Sequence, residues 1–372
     1  GGSAVVSKKL GEGKKEEAME DFSFLTAVGV ALSVLLMIAT LLFHNQISLF
    51  LGSSERILDY CNAYLIYLVL FAPACMLQSL YQSFFVTAGK PRLGLVLTVI
   101  AGLANAFFDY FFLAVCGMEI EGAAIATGIG QMIPAVVGTV YFFFFKGELH
   151  FVPFHFHGAT LKQSCFNGSS EMVSNLANAI ITYLFNIILM RIAGENGVAA
   201  ITIILYAQFL FNSLYLGFSI GVAPVIGFQY GAKNRDQLKS LYKICNCFVM
   251  ASSVVIAFFS WLLSDGIASI FVPDRGETYV MASEGLRIFA LSFLFSGFNI
   301  FSSSLFTALS DGKTSAIISF GRTCVFIILS LMILPNILGL TGVWLAIPVA
   351  EFLAVFVSVY YQWTKRKKYG YL

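Results

Sequence analysis

Asn105 and Asp109 stand four residues apart in ANAFFDYFFLAVCGMEIEGAAIATGIGQ, the stretch from Ala104 to Gln131, whose other residues before Glu119 carry no charge and no amide. Four residues is one helical turn, so both side chains share a helix face. An aspartate at the centre of a membrane helix costs about 2.5–3.5 kcal/mol on insertion scales, so such a residue faces a bundle interior or a water-filled cavity and marks an ion or substrate path. The competing use is structural, with the carboxylate tied to Asn105 and a backbone donor only to fix packing. Other chemistries lack their residues. There is no His-Glu-x-x-His and no closely spaced Asp pair, the arrangements a membrane enzyme would need. His155 and His157, beside Pro153, have no third ligand and read as linker. Cys61, Cys75, Cys116, Cys165, Cys245, Cys247 and Cys324 sit mostly in apolar runs, at spacings of neither a disulfide framework nor a zinc site.

The elements that must carry Asn105 and Asp109 follow from composition. The 372 residues are 58% hydrophobic and 11% charged, with a mean hydropathy of +0.84, whereas a soluble domain is charged at about a quarter of its positions. The chain is therefore expected to be an all-α polytopic membrane protein. Apolar runs near 22–43, 58–87, 92–116, 121–145, 166–192, 198–229, 240–263, 279–308, 315–337 and 341–363 are each long enough to cross about 30 Å of hydrocarbon. Alternate loops are basic: Lys8, Lys9, Lys14 and Lys15, then Lys90 and Arg92, Lys146 and Lys162, Lys233, Arg235, Lys239 and Lys243, Lys313, and the tail from Lys365 to Lys368. The intervening loops carry Glu55, Asp59, Glu119, Glu121, Glu195, Asp265, Asp274 and Glu277, with Arg56, Arg191 and Arg275 as their only bases. The positive-inside rule then makes both ends cytoplasmic. Cations spread over one membrane face without interleaved aromatics also argue against a nucleic-acid partner.

An internal repeat underlies this series. Gly11 in LGEGKKEE matches Gly231 in YGAKNRDQ, Thr87-Ala88 matches Thr307-Ala308, and Gly122 with Ala126 matches Gly342 with Ala346, each 220 residues apart. The two copies have the same loop charge and hence the same orientation, a parallel repeat of the kind secondary transporters rock about a midplane site. The counterpart of Asn105 and Asp109 lies between Val325 and Met332, which holds neither carboxylate nor amide. A pair needed only for packing should recur, so the asymmetry favours a task in the first copy.

These segments resemble the multidrug and toxic compound extrusion (MATE) transporter family. NAFFDYFFLAVCGMEIEGAAIAT is similar to the family's helix 5 to helix 6 segment and GVAPVIGFQYGAKNRD to its helix 8 to 9 loop. GGSAVVSKKLGEGKKEEA, TALSDGKTSAIISFGR and GLTGVWLAIPVAE resemble its helix 2 to 3 loop, its helix 10 to 11 turn and the start of helix 12. The resemblance implies two pseudo-symmetric bundles of an incomplete twelve-helix fold. Residues 1–145 are the amino-terminal lobe with family helices 3 to 6, 146–164 a cytoplasmic linker, 165–364 the six-helix carboxy-terminal lobe, and 365–372 a basic tail. On that footing helix 1 and most of helix 2, about 55 residues, would precede Gly1, with an aspartate about 34 residues upstream.

The resemblance also implies a cation-coupling site in the first lobe: Asn105 and Asp109 match the helix 5 pair, Thr127 the helix 6 threonine, and Tyr64 an aromatic beside the site. Asp109, Asn105 and Thr127 would be the Na⁺ ligands in a sodium-coupled protein. Their oxygens suit a hard cation, and a desolvated Asp109 could take a proton instead. Glu351, which occupies the position of Gln131 in the other copy, is a candidate with Gln131 and Glu171 for lining the substrate cavity; Glu171 is alternatively a solvated residue at a helix start. Glu284 and Arg287 are expected to pair, Arg322 to snorkel or pack, and bends are expected near Pro73, Pro134, Pro224 and Pro348.

The reading is a monomeric inner-membrane antiporter, without cofactor, that exports amphipathic cationic organic compounds in exchange for Na⁺ or H⁺. The alternative is a lipid-linked oligosaccharide flippase of the same superfamily, which would present an Arg or Lys cluster to phosphate. In a cysteine-free background, single cysteines at Lys90, Lys146, Lys233 or Lys313 are expected to be labelled only from the cytoplasm, and those at Glu119 or Asp274 only from outside. Labelling of positions 233 and 274 from one side would refute this topology.

Overall fold

Without water to satisfy peptide groups, a chain this apolar folds into helices, and all the regular structure among the described residues is helical. The computed structural model describes residues 1–50, 58–145 and 147–372; Glu55, Arg56 and Lys146, used above to orient loops, lie outside them. The first copy comprises α1 (Gly2–Gly11), α2 (Lys15–Leu42), α3 (His44–Phe50), α4 (Leu58–Leu70), α5 (Ala72–Thr87), α6 (Pro91–Tyr110) and α7 (Ile120–Phe144). A π-helical segment, Phe111–Val115, follows α6. The second comprises α8 (Gly158–Gly231), α9 (Arg235–Leu262), α10 (Ser264–Phe271), α11 (Glu277–Phe289), α12 (Phe293–Ala308), α13 (Gly312–Phe320), the π-helical Gly321–Phe326, α14 (Ile327–Leu338) and α15 (Leu340–Tyr369).

The 220-residue repeat recurs in the lengths of three helix pairs. α2 and α9 each have 28 residues, α4 and α11 each 13, and α5 and α12 each 16. Each copy also has a π segment, but Gly321–Phe326 falls about ten residues earlier in the repeat than Phe111–Val115. The turn before α2 uses Gly13 at φ 80°, and its counterpart before α9 uses Lys233 at φ 55°. Two breaks reconcile the helices with the expected spans. The 74 residues of α8 would reach about 110 Å if straight, but Gly194, at φ 62° and ψ −152°, divides them into two limbs; a left-handed φ of this kind suits glycine. α4 and α5 meet at 51°, where Pro73 in the first turn of α5 supplies no N–H. Among the described residues eight helices are long and apolar enough to span, nine with the bent pair as one. Counting the limbs of α8 separately gives the ten expected spans.

The chain divides into two compact units, Gly1–Glu12 with Lys162–Leu372, and Gly13–Leu161. Residues 1–12 thus group with Lys162–Leu372. The reason is a small-residue crossing between α1 and the end of α8. A Cβ on Gly11 would lie 2.0 Å from the Phe228 carbonyl, and one on Gly231 2.0 Å from the Lys8 carbonyl. Ser7 donates to the carbonyl of Pro224. Gly227 and Gly231 form a GxxxG pattern, which lets membrane helices approach to backbone contact.

In the unit Gly13–Leu161, α7 is the central helix. Its Gly130 lies against Ala101 and Asn105 of α6, Gly128 against the ring of Phe71, and Gly138 against Tyr81 of α5. Phe22 packs on Phe84, Phe142 and Phe151 with ring centroids 4.8–5.0 Å apart. That cluster holds the connecting segment, as do bonds from the Val152 N–H to Ser23 Oγ (3.0 Å) and from Thr160 to the buried Asp21 (3.0 Å), with His157 Nδ1 also 3.0 Å from Asp21. His157 is therefore an anchor of the linker.

In the other unit, Asp311 caps α13 and takes hydrogen bonds from Thr314, Lys365 Nζ (2.6 Å) and Tyr369 (2.7 Å). Burial would raise its carboxyl, but these donors outweigh burial and hold it at about 2. Its stabilising contribution is thus complete above the ordinary aspartate range and is lost only as pH falls towards 2.

The crossing yields a test. Gly231→Ala is expected to lower stability by about 1–3 kcal/mol through overpacking, whereas Gly217→Ala, with open space around it in the same helix, should not. Equal thermal midpoints for both variants in detergent would contradict the close approach.

Candidate functional site

Asn105 and Asp109 continue a buried stripe on α6. Gly94, Leu97 and Ala101 are buried, Asn105 and Asp109 follow at the same spacing and are half-buried, and Leu103 and Phe107 between them are exposed. The stripe faces α7, where Gly130 leaves room for Asn105 with only 3.1 Å from a built Cβ to Asn105 Cβ. Asn105 Nδ2 donates to Thr127 Oγ1 at 3.4 Å, and Thr127 Oγ1 donates to the Ala123 carbonyl at 3.0 Å. The structure therefore brings Asn105 and Thr127 together and sets Asp109 one turn from Asn105. Among the described residues no side chain or backbone group donates to the Asp109 carboxylate. Tyr64, half-buried on α4, makes no hydrogen bond to these three residues. Gln131 follows Gly130 on α7 and is half-buried.

The helix changes character directly after Asp109. The Cys116 N–H bonds to the Phe111 carbonyl five residues back, the wide π pattern often found at functional positions. Sequence reading had no access to it, because an apolar run looks the same with or without a π turn. The second copy has a π segment too, about ten residues earlier in the repeat, and it contains Arg322.

Glu171 and Glu351 meet in the other unit, around a cavity of about 320 Å³. Its walls include Glu171, Asn175, Asn178 and Thr182 from one limb of α8, Gln208 and Asn212 from the other, and Arg322 and Glu351. Glu351 lines this cavity, and its carboxylate is already partnered: Oε1 accepts from Arg322 Nη1 at 3.1 Å and Oε2 from Asn299 Nδ2 at 2.8 Å. Arg322 neither snorkels nor merely packs. It forms this ion pair with its side chain 13% exposed and that of Glu351 4% exposed. Two charges leave water together only when each finds the other and the remaining lone pairs find donors, and fully buried Asn299 completes the set, accepting from Ser358 at 2.9 Å. Arg287, expected to pair with Glu284, instead reaches Asp265 at 2.6 Å, with Glu284 exposed. Two donors, Ser283 first and Arg287, lower the Asp265 carboxyl, although burial acts against them.

Asn299, Asn178, Gln208 and Asn212 were not singled out from sequence. A signal existed: positions 171, 175, 178 and 182, and then 208 and 212, fall on single helical faces.

Replacing Arg322 by Met should strand a buried carboxylate and cost about 3–5 kcal/mol, and adding Glu351→Leu should recover most of it. Thermal unfolding of the single and double variants checks this, and equal losses would deny the pair.

The sequence matches the family model described as MatE over residues 1–111 and 172–332. The multidrug export protein MepA of Staphylococcus haemolyticus is 22% identical, over 99% of this chain and 81% of its own. MepA of Staphylococcus aureus is also 22% identical, over 96% and 79%. An outward-facing multidrug resistance MATE family transporter of the MOP superfamily superposes with a TM-score of 0.93 at 20% identity, over 99% of this chain and 83% of its own. The Vibrio cholerae MATE transporter VcmN superposes with a TM-score of 0.91 at 21% identity, over 100% and 84%. At these identities the superpositions speak for the fold alone.

Proposed function

Because the chain belongs to the MatE family, and so to transporters and not to enzymes, we propose that it is a secondary antiporter exporting amphipathic cationic organic compounds in exchange for inward-moving Na⁺ or H⁺. The similar curated proteins are multidrug exporters, and drug export is the activity this reading extends to the present chain. The observation that carries the coupling mechanism is Asp109, a half-buried carboxylate within a membrane helix that accepts no protein hydrogen bond among the described residues, one turn from the Asn105–Thr127 contact.

In this reading Asp109 supplies the negative charge that a cation must neutralise. Thr127 supplies a hydroxyl oxygen, and the Asn105 amide can turn its oxygen to the same face. Three neutral or anionic oxygens on two adjacent helices suit Na⁺, and the same carboxylate can alternate between protonated and ionised forms for H⁺. Tyr64 and Gln131 are assigned supporting positions beside the site and along the same helix. The cavity around Glu171 is the proposed substrate surface, where Glu171 is the carboxylate left unpaired and the amides of Asn175, Asn178, Gln208 and Asn212 offer both donors and acceptors. The flippase alternative is less well supported. Arg322 is the one base lining that cavity among the described residues, and Glu351 already neutralises it.

Asp109→Asn should fold but lose coupled export. Moving one charge through 100 mV is worth about 2.3 kcal/mol, or roughly fifty-fold in accumulation. Dye efflux from vesicles under an imposed Na⁺ or pH gradient measures this, and unchanged gradient-driven efflux in the variant overturns the assignment.

A further inference from the structure

A second cavity, of about 310 Å³, opens at the ends of α1, α8 and α15, on the face that carries the basic loops. Its charged lining is Lys8, Lys233, Arg235 and Lys368 against the single carboxylate of Glu12, an excess of three positive charges. The four cations come from three separate stretches of chain, so the excess is not the by-product of one basic run.

The neighbourhood does not neutralise it. Among the described residues no carboxylate lies within ion-pair distance of Lys233, Arg235 or Lys368. Glu12 stands 4.0 Å from Lys8. The other nearby acid, Asp311, is saturated by Lys365, Tyr369 and Thr314. Two aromatic walls fix the ammonium groups in place: Lys8 Nζ lies 5.5 Å from the centre of the Tyr230 ring and Lys368 Nζ 4.9 Å from that of Tyr369, and the two rings meet edge to face at 5.7 Å. Lys233 occupies the left-handed turn that the first copy gives to Gly13, so the second copy accepts an unfavourable backbone conformation and carries a cation at the pocket. Arg235 then opens the 28-residue α9, whose positive end adds to the same field.

We propose that this pocket binds a phosphate-bearing anion, either the head group of an acidic phospholipid or a soluble phosphate compound. Arg235 offers a planar fork to two phosphate oxygens, and the lysines act as point charges around it. An occupant would bridge α1, the α8–α9 turn and the end of α15, and so stabilise the crossing of α1 with α8. Nothing in this site depends on the coupling residues or on the proposed substrate cavity.

The test titrates the purified full chain in a neutral detergent with fluorescent phosphatidylglycerol, fluorescent phosphatidylcholine and inorganic phosphate. Saturable binding of phosphatidylglycerol, weak binding of phosphatidylcholine and no displacement by excess phosphate identify a lipid head group. Displacement by inorganic phosphate, or its binding alone, identifies a soluble anion. Either result supports the site if Lys233→Gln with Arg235→Gln weakens binding about tenfold or more, Glu12→Gln strengthens it, and Lys239→Gln with Lys243→Gln, the same charge change on α9 outside the pocket, leaves it unchanged. The proposal fails if neither anion binds, if the pocket and control pairs weaken binding equally, or if Glu12→Gln has no effect. The Glu12 variant, which removes no cation, keeps the test decisive should the pocket pair fail to fold.

Discussion

Hydrocarbon offers no hydrogen bonds, and that property of the solvent decides where every polar group in this chain stands. Peptide groups are satisfied within helices. A polar side chain must either bond its own backbone, as Thr127 bonds Ala123, or find a partner on another helix, as Arg322 finds Glu351. The aromatic packing around Phe22, the glycine faces of α7 and the bend before Pro73 all serve to bring helices close enough for such partnerships. Against that background Asp109 stands out, a carboxylate within a membrane helix to which no group donates among the described residues.

The two copies show how one scaffold is put to two uses. Several helix lengths and the turns before α2 and α9 repeat at a spacing near 220 residues, yet the polar content of the two copies is different. The first copy has Asn105, Asp109 and Thr127 on adjacent helices. The second has Arg322 and Glu351, whose charges cancel, with Asn299 as third member. The shared geometry is the part set by packing. The unshared residues are the part free to take on chemistry.

Much of this was legible in the sequence, because hydrophobic runs, loop charge and the repeat are local or periodic signals. The spans and the shared face of Asn105 and Asp109 follow from helical spacing, whereas Thr127 entered through the family resemblance and its contact with Asn105 is a tertiary fact. Partners across space were not legible. Glu284 and Arg287 are neighbours on one helix, but Asp265 on α10 offers Arg287 a better-placed acid, a fact of tertiary approach alone. Arg322 and Glu351 are 29 residues apart, and no spacing rule joins them. The π turns were hidden because a helix that widens by one residue leaves the apolar character of the run unaltered.

The crossing of α1 with α8 has a further meaning. Gly11 meets the carbonyl of Phe228, and Gly231 meets that of Lys8; 11 and 231 are one repeat apart, and so are 8 and 228. Each partner does to the other what the other does to it, which is the signature of an isologous contact between two identical chains about a twofold axis. The single chain thus presents to itself the kind of contact that two identical half-length chains would make. In such a dimer one glycine codon would have governed both sides of the contact at once. In the single chain the two glycines answer to separate codons, and either side tolerates change only as far as the other side's backbone permits.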